Sequence, residues 1–75
     1  MPTLTHQEQQ TLEAVKDAAR EINTPSLSPS MIFDYCPPTL SWDCFADALK
    51  GLRRLGLIEG TTRFWLTTEG KEVAA

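Results

Sequence analysis

Nowhere does the chain carry an uninterrupted apolar run near the roughly 18 to 20 residues that a membrane-spanning helix requires. The first residues also lack the basic-then-apolar order of a secretion signal, so a cytoplasmic protein is expected. Cysteine is scarce. Cys36 and Cys44 are too few to staple a secreted mini-protein, and no Cys/His set has zinc-finger spacing. Both are expected as reduced thiols acting as small hydrophobes, although a bond between them is sterically conceivable. Histidine is scarcer still: His6 stands alone, without a second ligand or nucleophile nearby in sequence, and is expected to be solvated. The chain shows no phosphate-binding glycine loop, no dinucleotide fingerprint, no triad order and no paired-carboxylate site. With 75 residues there is also little room for a buried cleft, so an enzyme is not expected, nor is a cofactor or a metal.

Positive charge is in the minority, with 7 Lys+Arg against 10 Asp+Glu, a formal net charge of −3. Its distribution is uneven. Residues 1–34 hold five acids (Glu8, Glu13, Asp17, Glu21, Asp34) against two bases (Lys16, Arg20). Residues 50–63 hold four bases (Lys50, Arg53, Arg54, Arg63) against Glu59. Apolar residues make up 41% of the chain, the balance of a folding domain rather than of a solvated chain.

After a tail over 1–4, Thr5 and Glu8 form a capping box that starts a first helix over 5–22. Leu12, Val15, Ala18 or Ala19, and Ile22 fall on one stripe, while Glu13, Lys16, Asp17, Arg20 and Glu21 stay wet. Asn23, Thr24 and Pro25 end this helix. A short segment over 26–28 follows, with Leu27 as its one apolar side chain. Ser28 then caps and Pro29 opens a brief second helix over 29–36, with Met31, Ile32, Tyr35 and Cys36 on one face, stopped by Pro37-Pro38. Ser41 caps the strongest helical pattern, 41–55, which gathers Trp42, Phe45, Ala48, Leu49, Leu52 and Leu55 on its apolar side. Asp43 in its first turn and Arg53 and Arg54 in its last suit the helix dipole, and Gly56 stands where a left-handed residue is wanted.

Beyond Gly56 the period turns extended. Leu57 to Glu59, a turn at Gly60-Thr61-Thr62, and Arg63 to Leu66 predict a hairpin over 57–66 whose register is open. Thr67 or Thr68 then caps a short helix over 67–75, weakened by Gly70.

The order of helix, short extended piece, short helix, longer amphipathic helix and hairpin has a counterpart. From Phe45, the run ALKGLRRLGLIEG and then RFWLTTEGKEVA resembles the winged helix-turn-helix family, through L-x-x-L-G-L-I at 52–58 followed by L-T-x-x-G at 66–70. The resemblance spans Thr5 to about Ala74. It implies a single α+β, mainly α domain over 1–75: three helices, a small β-hairpin wing and a short C-terminal helix. In that family the third helix enters the major groove of double-stranded DNA and the wing reaches the backbone or minor groove nearby. The resemblance thus implies a small transcriptional regulator in which Lys50, Arg53, Arg54 and Arg63 meet phosphates, and Asp43, Ala46, Asp47 and Lys50 meet base edges.

The residues themselves weigh on both sides. Asp43 and Asp47 repel phosphate, although a carboxylate accepts a hydrogen bond from cytosine. Asp47 paired with Lys50 or Arg54 would amount to no more than surface ion pairs of at most about 0.5 kcal/mol each. Four phosphate contacts predict a log-log salt slope of about −3 to −4, a footprint that calls for a homodimer, with helix one as the surface if its N-terminal half exposes apolar area. The competing expectation is a protein-interaction module of the same architecture. The acidic first helix or an exposed Trp65 would meet the partner: strict alternation between Phe64 and Leu66 turns the indole outward beside Arg63, the composition of a protein-binding hot spot. A domain this small also needs apolar area, which favours Trp65 packed on helix one or the last helix. Trp42 is expected in the core, with a partly exposed position beside Pro37 and Pro38 as the alternative, and Leu52 and Leu55 are expected to anchor the end of the third helix in the core.

Overall fold

The computed structural model describes residues 4–23 and 26–72. The expected stop at Thr24-Pro25 and the last residues of the C-terminal helix, 73–75, lie outside them. In chain order the elements are α1 (His6–Ile22), α2 (Pro29–Phe33), α3 (Trp42–Arg54), β1 (Ile58–Gly60), β2 (Phe64–Leu66) and α4 (Thr68–Glu72). The protein is a mainly α domain with a two-stranded antiparallel hairpin. Among the described residues no helix is long and apolar enough to cross a membrane.

Each long helix begins where a local side chain satisfies its free amides. At α1 the Glu8 amide donates to Thr5 Oγ1 (3.1 Å) and the Thr5 amide donates back to Glu8 Oε1 (2.9 Å), closing the capping box. Ser28 and Ser41 accept from Met31 N (3.4 Å) and Cys44 N (3.2 Å) in the same way. Asn23 ends α1 in the left-handed conformation, φ 56°, its amide donating to Ala19 O at 3.1 Å. The end of α3 is a Schellman motif. Gly56, at φ 78°, donates to Arg53 O and Leu57 to Leu52 O, both at 3.0 Å, and Leu52 and Leu57 are both buried.

That motif corrects the expectation for Leu55, which is 41% exposed. The apolar pair of the turn is Leu52 with Leu57, and the chain reverses before anything covers the residue between them. Ile22 is likewise exposed, at the last position of α1, one turn beyond buried Ala18. The regular part of α2 stops at Phe33 rather than continuing to 36. Tyr35 N and Cys36 N donate to Ile32 O and Phe33 O in tight turns, and Tyr35 leaves the apolar face for solvent.

The core joins Leu12, Val15 and Ala18 of α1 to Phe45, Leu49 and Leu52 of α3, closed by Ile32, Leu40, Leu57, Ile58 and Phe64. Each such side chain contributes on the order of 1.5–3 kcal/mol when fully buried. Leu27 completes it. This residue pairs with Phe64 on the outer edge of β2, Leu27 N donating to Phe64 O and Phe64 N to Leu27 O, each at 2.7 Å. The segment between α1 and α2 therefore pins the hairpin to the helices. At the other end Gly70 of α4 is buried against the Leu57 carbonyl, where a Cβ would collide with backbone. A residue that weakens a helix locally is here required by the closeness of two chain segments.

Both cysteines are free and half-buried against the core. Burial pushes the Cys36 thiol up to about 11, and its Sγ donates to Ile32 O at 3.6 Å. Thr11 is fully buried on α1, and among the described residues its Oγ1 is a polar atom without a partner. Thr11→Val keeps the β-branched shape and removes that hydroxyl, so we expect a gain of about 1 kcal/mol, seen as a higher urea midpoint at unchanged m-value. A lower midpoint would show that the hydroxyl is satisfied.

Candidate nucleic-acid interface

The solvent side of α3 divides into two stripes because successive residues turn by about 100°. Asp43, Asp47 and Arg54 occupy the outer stripe and are exposed. Ala46, Lys50 and Arg53, with Trp42 above them, line a cleft of about 240 Å³ that Thr61 of the hairpin turn, Phe64 of β2 and Pro29 of α2 close from the other side. Lys50 and Arg53 also share a shallower hollow with Arg54. Tertiary structure thus gathers Ala46, Lys50 and Arg53 near the hairpin tip, with Arg54 beside them on α3. Asp43 and Asp47 do not line the cleft.

Among the described residues, the side chains of Lys50, Arg53 and Arg54 form no hydrogen bond or ion pair. The anticipated pairs of Asp47 with Lys50 or Arg54 do not form. Arg20 on α1 contrasts with them, its guanidinium bound to Asp17 at 2.6 Å. The three cations at the end of α3 are exposed and retain their full hydrogen-bonding capacity for an anion.

Arg63 is arranged differently. Its Nε donates to Ser26 Oγ (2.8 Å) and its Nη2 to Ser26 O (2.9 Å). Two of its five N–H groups hold the hairpin to the segment before α2, leaving three for other acceptors. Sequence separation hid this contact, since Ser26 lies 37 residues away.

Trp42 is not a core residue; it is 49% exposed. It is the first residue of α3 and lies at the edge of the core, where Phe33 of α2 meets it edge-on with ring centroids 5.1 Å apart and Phe45 supports it from below at 5.2 Å. Trp65 is 42% exposed, so it does not complete the core on a helix. Alternation along β2 sends Phe64 into the cleft and Trp65 to the opposite face, across from Glu59. Trp65 and the α3 cations therefore belong to different surfaces.

His6 is exposed, and among the described residues no three His, Cys, Asp or Glu side chains gather as a metal site would need. Comparison of the chain with family models, with curated proteins and with solved structures returns no match.

Proposed function

We propose that this is a winged helix protein that binds double-stranded DNA as a small transcriptional regulator, with α3 in the major groove and the hairpin as its wing. The observation that carries this reading is the set of three exposed cations, Lys50, Arg53 and Arg54, at the end of α3, without partners among the described residues, the first two of them sharing a cleft with Thr61 of the hairpin turn. They supply the phosphate contacts, with Arg63 adding one through the N–H groups that Ser26 does not take. Ala46, small and apolar, suits a thymine methyl. Asp43 and Asp47 accept from cytosine, and Lys50 reaches guanine or phosphate. A homodimer, with the outer face of α1 as contact, would double this footprint.

Titration with random duplex DNA tests the reading. Three to four phosphate contacts predict an affinity that falls roughly 40- to 150-fold between 50 and 200 mM salt. Reversal of Lys50, Arg53 and Arg54 to glutamate should remove both the binding and its salt dependence. Binding that ignores salt, or that survives the triple reversal, would exclude this surface. The exposed Trp65 favours a second reading, a protein-interaction module using the far side of the hairpin. A partner on that face would shift Trp65 and Glu59 resonances and leave those of 42–54 in place.

A further inference from the structure

The cleft between α3 and the hairpin has a chemistry that DNA does not use. Its apolar wall is the half-exposed Trp42 ring with Ala46, backed by the buried side chains of Phe45, Leu49 and Phe64, and its one side-chain hydrogen-bonding group is the indole N–H of Trp42. Its volume, about 240 Å³, lies below the roughly 300–1,000 Å³ of small-molecule pockets and suits one or two protruding side chains. Trp42 stands half-exposed at its edge, held by the rings of Phe33 and Phe45. Lys50 and Arg53 stand on its lip without partners.

We infer that this cleft docks an acidic peptide segment of a partner protein, with one aromatic or large aliphatic side chain seated against the exposed Trp42 indole beside Ala46 and the edge of Phe64, and flanking carboxylates on Lys50 and Arg53. Charge complementarity selects an anionic partner, because Lys50 and Arg53 are the charged residues that line the cleft and neither has an ion-pair partner among the described residues. The apolar wall selects hydrocarbon. A nucleobase placed there would bury ring nitrogens and exocyclic groups with almost nothing to bond them, a loss that a phenyl or isobutyl group does not incur. The outer face of α1 in a second copy is acidic, but its large exposed apolar side chain, Ile22, ends the helix with Glu21 alone beside it, and Asp17, the next acid back, is already paired with Arg20. The docking is independent of the DNA reading, yet it uses Lys50 and Arg53 too, so peptide and DNA exclude one another where both bind.

The test uses the full chain carrying Trp65→Phe, which leaves Trp42 as the one indole reporter. A synthetic decapeptide of Asp and Glu with one central Phe is titrated in, alongside the same peptide with Ala in place of Phe. The expected result is a saturable change in Trp42 emission, with the Phe peptide bound at least about tenfold more tightly than its Ala control. Lys50→Glu/Arg53→Glu should abolish binding of both, while Ala46→Phe, which fills the cleft at unchanged charge, should remove the preference for Phe. Equal binding of the two peptides would overturn the proposal, as would binding unaffected by the charge reversal. Oligothymidylate binding more tightly than the Phe peptide would make the cleft a base slot instead. Self-association that shields Trp42 without peptide would assign it to a second copy. Duplex DNA binding is measured separately, so a protein that binds peptide but not DNA, or DNA but not peptide, identifies which proposal fails.

Discussion

Phe45→Ala is expected to remove most of the stability of this protein. Phe45 is fully buried at the centre of the core, touching the Phe33 ring at 5.1 Å and supporting Trp42 at 5.2 Å. Truncating such a side chain costs about 3–5 kcal/mol, the lost transfer energy plus the cavity it leaves. At roughly 0.05–0.15 kcal/mol per residue a chain of this length holds on the order of 4–11 kcal/mol in total. The variant should therefore unfold at a far lower urea concentration, or be unfolded at 25 °C. Where it still folds, Trp42 emission should shift red, because the indole has lost the ring beneath it. A loss below about 1.5 kcal/mol, well short of the usual range for such truncations, would mean that α3 does not dock on α1 through this residue. The effect reaches the surface as well, since Phe45 is in the core and also backs the cleft wall.

Gly60→Ala should break the hairpin. Gly60 ends β1 at φ 122°, a backbone conformation that L residues rarely adopt, and a Cβ there would collide with the Arg63 carbonyl across the turn. The backbone strain alone costs about 1–3 kcal/mol, and the obstructing atom belongs to the main chain and cannot rotate away. Phe64 points both its N–H and its C=O at Leu27, so the ladder bonds between β1 and β2 belong to the pair Glu59–Trp65. Amide exchange at Trp65 should lose its protection in the variant, whereas Leu12, Val15 and Leu52 amides, inside helices, should retain theirs. Thr61→Ala, at an exposed neighbouring position, is the control and should change nothing measurable. Unaltered exchange at Trp65 in Gly60→Ala would refute the turn geometry. Because Thr61 and Phe64 close the cleft, this variant should also weaken whatever binds beside Lys50 and Arg53.

Lysines and arginines at the end of a helix are common, and their position in sequence serves the helix dipole as well as it serves a ligand. What gives Lys50, Arg53 and Arg54 functional weight is that nothing among the described residues neutralises them, while Arg20 on α1 binds Asp17 and Arg63 binds Ser26. Pairing of this kind depends on side-chain direction and on segments distant in sequence, so charge counts along the chain do not reveal it.

Local interactions were readable from the residues alone, since each is completed within three or four positions. The Thr5–Glu8 box, the serine caps at 28 and 41, the left-handed Asn23 and Gly56, and Thr67 accepting from Gly70 N all stand where their residue types call for them. Periodicity likewise named the inward faces of α1 and α3. It does not say how far along a helix a neighbour extends, and for that reason Ile22, Trp42 and Leu55, each at or next to a helix end, lie open although they share the apolar stripe. Hairpin register, the Leu27–Phe64 bridge, the outward turn of Trp65 and the absence of Asp43 and Asp47 from the cleft lining were decided by tertiary packing. The physical reason is common to all of them: a side chain's periodic position sets its direction, whereas its exposure and its partners depend on which other segment arrives opposite it.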